Sequence, residues 1–154
     1  MEINHKLYEN DSYMREFEAE VISCVPDGKY FQIRTDRSAF FPEGGGQSAD
    51  TGILGPVHVL DVQEKDGLVF HKTDGPLPEG STVTGKIDWR RRFSNMQQHS
   101  GEHIVSGIVH RKFGYNNVGF HLSDREVTLD FNGPLSPAQL LEVENEANQA
   151  VFEN

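Results

Sequence analysis

The character of the chain changes at Asp88. Before it, short stretches of alternating apolar and polar residues are separated by turn signals; from it, residues 88–113 run without a proline. Residues 17–24 (FEAEVISC) alternate, PDG at 26–28 is a turn signal, and residues 29–34 (KYFQIR) read as the return strand. Residues 57–62 and 67–71 form a second expected hairpin, DGPLPEG at 74–80 a loop, and residues 81–87 (STVTGKI) another strand. Short strands with frequent turns predict a small barrel or a strongly curled sheet. In the next stretch Trp89, Phe93, Met96, Ile104, Val105, Ile108 and Val109 fall mostly at helical spacings, with Asp88 as N-cap and Gly114 as the residue just past the end. One long helix is predicted, although Gly101 and Gly107 weaken it.

Two strands follow near residues 118–122 and 126–131. A final helix opens on SPAQ, with Ser136 as N-cap, Pro137 in the first helical position and Gln139 closing a capping box. Leu140, Val143, Ala147 and Val151 share one face, and such a face needs a cover. Asn154 falls about where this helix should end, with no glycine cap and no strand after it, so the chain is expected to stop inside a domain. The fold class expected is α+β. A small β-barrel-like domain over residues 1–88 is expected to pack on an incomplete α+β domain over residues 89–154, which holds the long helix, short antiparallel strands and a C-terminal helix.

The formal charge is −10, from 24 acidic and 14 basic residues, which argues against binding nucleic acid through overall charge. The charge is unevenly spread. Residues 86–112 carry six basic residues (Lys86, Arg90, Arg91, Arg92, Arg111 and Lys112) against Asp88 and Glu102, a net +4 that leaves −14 elsewhere. Arg90, Arg91 and Arg92 are therefore candidate nucleic-acid contacts, the alternative being that they pair with the acidic sheet. Cys24 is the single cysteine, which excludes an internal disulfide and fits a reducing, cytoplasmic setting. The N-terminus is polar, and no segment approaches the ~20 apolar residues of a membrane span. The expectation is a soluble intracellular protein with no membrane partner.

HSGEH at 99–103 puts His99 and His103 one turn apart on one helix face. Two imidazoles so placed can bind one Zn²⁺, but zinc takes three or four protein ligands, and chance spacing on a packed helix remains the alternative. His110 lies seven residues further on; Cys24 reads as a small core residue, His58 and His71 as surface residues of hairpins, and His121 either as a group aimed at the pair or as structural. Glu102 is a possible general base or orienting carboxylate, with an exposed helix glutamate the preferred reading. Fifty residues earlier stands FFPEGGGQSADTG. Gly44, Gly45 and Gly46 permit backbone shapes closed to other residues, and backbone N–H groups there can hold an anion or polarise a carbonyl. The loop lacks the Lys and Ser/Thr of a P-loop and the spacing of a dinucleotide fingerprint. Gln47 follows directly and is expected, with the glycines, to face the histidine pair.

Three blocks in order, DRSAFFPEGGGQSADTG, DWRRRFSNMQQHSGEHIVSGI and VGFHLSDREVTLDF, resemble the alanyl-tRNA editing proteins, freestanding relatives of the editing domain of alanyl-tRNA synthetase. The likeness runs from about Asp36 to Phe131. It implies that residues 89–154 begin an editing domain of the threonyl/alanyl-tRNA synthetase type. It also implies hydrolysis of the ester joining a wrong amino acid, mainly serine and sometimes glycine, to the acceptor end of alanine tRNA. Zinc in the family is held by H-x-x-x-H and by a later Cys and His of a C-x-x-x-H block. His99 and His103 match the first half and nothing after His103 matches the second, so the remaining ligands are expected beyond Asn154. The resemblance gives Ser38 a part in recognising the serine hydroxyl, a strand-end serine facing water being the alternative, and gives Gln47 and the glycines a place beside the ester. A freestanding protein is favoured over a synthetase by the absence of an aminoacylation domain before Met1. Two other readings stay open: a non-catalytic tRNA-binding module of the same fold, and an unrelated zinc hydrolase of small esters or amides.

Overall fold

The structure is a computed structural model, and it describes residues 5–122 and 125–153. Ser123 and Asp124 of the VGFHLSD block, the polar start at 1–4, and Asn154, where the last helix was expected to end, lie outside the described residues. The chain is mixed α and β, mostly strands with two helices. It divides into two compact units, one made of Met1–Gly44 with Ser48–Phe93, the other of Gly45–Gln47 with Ser94–Asn154.

In the first unit the strands are β1 (His5–Lys6), β2 (Glu16–Asp27), β3 (Tyr30–Thr35), β4 (Arg37–Ser38), β5 (Gly52–Leu54), β6 (Val57–Lys65), β7 (Leu68–Thr73) and β8 (Thr82–Ile87), with a short 3-10 turn at Leu7–Glu9. Six of them close into a barrel in the order β2-β3-β7-β6-β5-β8, antiparallel throughout, while β1 and β4 form a small parallel pair. The alternation expected at residues 17–24 is real: Phe17, Ala19 and Val21 point inward and join Ile33, Phe40, Leu54, Val59, Val62 and Val69 in one core. The strand outruns the expected turn, however. Pro26 and Asp27 still pair with Phe31 and Tyr30, and the chain reverses over Gly28 and Lys29, where Gly28 takes a φ of 62°. A proline needs no ladder N–H at such a strand end, and glycine meets the left-handed backbone of a two-residue turn without strain.

The helix α1 (Trp89–Phe113) has the predicted caps. Arg91 N donates to Asp88 Oδ1 at 3.2 Å, and Gly114 N, at φ 73°, donates to His110 O at 2.9 Å. Neither Gly101 nor Gly107 breaks it.

In the second unit β9 (Asn117–Leu122) and β10 (Val127–Phe131) form an antiparallel pair, followed by α2 (Pro137–Glu153). The capping box is closed on both sides: Ser136 N donates to Gln139 Oε1 at 2.8 Å, and Gln139 N donates to Ser136 Oγ at 3.2 Å. Val143 and Ala147 meet Ile104, Val105, Ile108 and Val109 of α1, and Lys112 and Arg111 form ion pairs with Glu142 and Glu146. Leu140 and Val151 of the same expected face are exposed. Among the described residues no helix is long and apolar enough to cross a membrane.

Candidate functional site

The HSGEH turn of α1 lies in the second unit, and so do Gly45, Gly46 and Gln47. The His99 and His103 rings stack with centroids 5.0 Å apart and planes 21° apart, as the four-residue spacing requires. Gln47 is buried, and its Oε1 lies 3.1 Å from His99 Nδ1. The glycine loop and the histidine pair are thus brought together at this one contact. Two glycines make it possible. Gly45 and Gly46 have φ of 59° and 81°, a reversal open to few other residues, and a Cβ on Gly46 would overlap the Phe120 ring. Phe120 in turn packs on His99, ring centroids 5.6 Å apart. Gly44 has neither constraint, with an ordinary φ and open space at its Cβ, and it belongs to the barrel unit.

Glu102 is one of the residues that sequence reasoning misplaced. The preferred reading was an exposed helix glutamate; it is buried at 9% exposure. Its Oε1 accepts from Ser106 Oγ at 2.6 Å and from Asn117 Nδ2 at 2.7 Å, while Oε2 lies 3.3 Å from His103 Nδ1. A buried carboxylate requires such donors. Ser106 at i+4 on the same helix face was a readable partner; Asn117 comes from β9 and was not. His99, Glu102 and His103 offer ligand atoms all within 4.8 Å of one another, the one such group among the described residues. Two imidazoles and a carboxylate are donors that suit zinc, so the residues fit half or more of a tetrahedral site. His110 and His121 are exposed and stand outside this group, and Cys24 packs against the barrel core. Asn95, one turn before His99, is buried with its Nδ2 donor unpartnered.

The barrel unit contains a second polar arrangement. His71 was read as a surface residue; it is fully buried. On β7 the inward positions are Val69, His71 and Thr73, so strand alternation itself places the imidazole inside. Its Nδ1 lies 2.9 Å from Ile33 O, an acceptor, so Nδ1 carries the proton and Nε2 accepts the Ser38 hydroxyl at 2.7 Å. Phe40 N donates to Ser38 Oγ at 3.1 Å. Burial holds the His71 pKa down at about 4, against the weaker upward pull of the Ile33 carbonyl. Ser38 is therefore sealed, with its proton committed to His71 and neither facing water nor open to a substrate.

Of the three arginines, Arg90 is exposed and Arg91 is half-buried with its Nε donating to Ala49 O at 3.1 Å. Arg92 corrects the expectation of a nucleic-acid contact. It is buried in the first unit, where Nε donates to Asp50 Oδ1 and Oδ2 at 3.0 and 2.8 Å and the terminal nitrogens donate to Ser12 O and Ala39 O. A guanidinium so engaged and so buried is not open to a phosphate at the surface.

The family model described as tRNA synthetases class II (A) matches residues 8–91. The chain is 34% identical, over 94% of its length, to the alanyl-tRNA editing protein Aarsd1 of Rattus norvegicus, of which it covers 39%. It is 31% identical, over 96% of its length, to the alanyl-tRNA editing protein AlaX-L of Pyrococcus horikoshii, covering 38% of that protein. It is 37% identical, over 96% of its length, to the alanine–tRNA ligase of Pyrococcus furiosus, covering 17%. The chain belongs to the class II (A) tRNA synthetase family, and within it is similar both to alanyl-tRNA editing proteins and to alanine–tRNA ligases. It spans well under half the length of these relatives.

Proposed function

We propose that the chain carries part of the active site of a deacylase that hydrolyses the ester of mischarged alanine tRNA, mainly with serine and also with glycine, in the cytoplasm. The observation that carries this reading is the contact of Gln47 with His99, which joins two sequence blocks fifty residues apart in one polar cluster. The editing function named for the relatives in Rattus norvegicus and Pyrococcus horikoshii supports the same reaction class.

His99 and His103 would hold zinc, with the remaining Cys and His ligands supplied by sequence following Asn154. When bound, zinc would supply Lewis acidity beside the ester. With Gln47 Oε1 on His99, its amide N–H₂ remains as a donor for the ester carbonyl, and the N–H groups of Gly45 and Gly46 are further donors for charge developing on that oxygen. Arg90, which is exposed, would offer its guanidinium to a tRNA phosphate; Arg91 is the weaker candidate. For Ser38 to take part in recognising a substrate serine, its hydroxyl would have to exchange His71 for the substrate.

The protein should release serine from serine-charged alanine tRNA, and metal analysis should find zinc. Binding of that tRNA without release would instead favour the non-catalytic module, and turnover confined to small esters would favour the unrelated hydrolase.

A further inference from the structure

The two histidines of the HSGEH turn are each contacted at the same ring nitrogen. His99 Nδ1 faces Gln47 Oε1 at 3.1 Å, and His103 Nδ1 faces Glu102 Oε2 at 3.3 Å. An amide oxygen and a carboxylate are acceptors, so each Nδ1 must carry a proton to satisfy them. A neutral ring protonated at Nδ1 has its lone pair at Nε2. From this we infer that Gln47 and Glu102 are positioning residues that lock His99 and His103 in the same tautomer, so that both rings present Nε2 to a divalent cation.

The alternative for Glu102 is direct ligation, since its carboxylate lies within 4.8 Å of both imidazoles. Its existing partners argue against that. Oε1 already accepts from Ser106 and Asn117, Ser106 and Asn117 also bond each other at 3.0 Å, and Oε2 is turned to His103. A carboxylate held by two donors on one oxygen, at 9% exposure, with the other oxygen 3.3 Å from the His103 ring, is built to orient that neighbour. Gln47 holds the equivalent place for His99 from a different part of the chain. Gly46 lets the loop that bears it lie against Phe120, the ring that packs on His99 from the β9 side. The histidine pair thus has one orienter from its own helix and one from the glycine loop. This gives the glutamine after the glycines a definite task distinct from contact with substrate.

The inference rests on the reading of the pair as a metal site, but its test does not pass through hydrolysis. Ring-nitrogen ¹⁵N correlation spectra of the metal-free protein, taken on the alkaline plateau where the ring ¹⁵N shifts no longer change with pH, should show His99 and His103 protonated at Nδ1. Free neutral imidazole side chains favour Nε2–H, so the expected result is opposite to the default. Glu102→Gln should invert His103: its amide oxygen can keep Ser106 and Asn117, which turns an N–H₂ donor toward Nδ1. Gln47→Leu should return His99 alone to the default mixture. Zn²⁺ added by itself should shift both Nε2 resonances, and each substitution should weaken zinc binding roughly 10- to 100-fold. Nε2–H tautomers in the unaltered protein, tautomers that ignore both substitutions, or zinc that moves Nδ1 or neither ring would overturn the inference. Locked tautomers in a protein without deacylase activity would leave it standing and remove the proposed reaction instead.

Discussion

Arg92 and Asp50 form a buried, two-pronged ion pair inside the barrel unit, with Asp50 Oδ2 also accepting Phe41 N at 2.7 Å. The pair ties the first turn of α1 to the end of the segment that follows the glycine loop, and it accounts for both charges within a region where Asp50 has no exposed surface. Removing one partner leaves the other charged and shut away from water. Arg92→Ala is expected to lower the unfolding free energy by about 3–5 kcal/mol, read from urea denaturation. Arg90→Ala, at an exposed position, should change stability by less than about 0.5 kcal/mol and instead weaken tRNA binding, reducing the salt dependence by roughly one counterion. An Arg92→Ala protein of ordinary stability would contradict the structural role.

His71 makes the barrel sensitive to acid. In the unfolded chain it titrates at its ordinary value near 6.5, and in the barrel at about 4, so between these values the unfolded state binds more protons. Stability is fully present above the unfolded value and falls as pH drops through the folded one, by about 3 kcal/mol in all. An NMR titration should find the ring neutral at pH 5. A midpoint near 6.5 would mean that the ring is hydrated and that the bond to Ser38 is not maintained.

The three glycines should tolerate alanine unequally. Gly44→Ala meets open space at an ordinary φ and should leave stability within about 0.5 kcal/mol. Gly45→Ala also meets open space but at φ 59°, and should cost roughly 1–2 kcal/mol. Gly46→Ala combines φ 81° with overlap on Phe120, so the loop must move and Gln47 with it. It should show the largest loss of stability of the three and separate Gln47 from His99. Equal effects at Gly44 and Gly46 would show that the loop is not pressed on Phe120.

Helix ends and hairpins were legible because their signals are local. Asp88, Gly114 and the Ser136/Gln139 box act on backbone groups within four residues, and strand alternation needs only a period of two. That same period could have placed His71 inside with Val69 and Thr73, but a histidine weighs as polar in such a reading. The burial of Glu102 and Arg92 was not legible, since their partners Asn117 and Asp50 lie 15 and 42 residues away and only the folded chain supplies them. Strand β5 was missed for a related reason: its three residues pair on both sides, with β6 and β8, but are too few to display a pattern. At the candidate site the pairing of His99 with His103 follows from helix geometry alone. The approach of Gln47 was an expectation drawn from chemistry and resemblance.

The most direct measurement is the rate of serine release from serine-charged alanine tRNA by the protein and by its His103→Ala variant. Hydrolysis by the unaltered protein, reduced at least 100-fold in the variant with its fold intact by circular dichroism, is the predicted result, in line with loss of a group that positions charge at the reacting ester. An unaltered rate in His103→Ala, or no release by the zinc-loaded protein while it still binds the tRNA, would contradict the assignment of the HSGEH turn as the centre of an editing site.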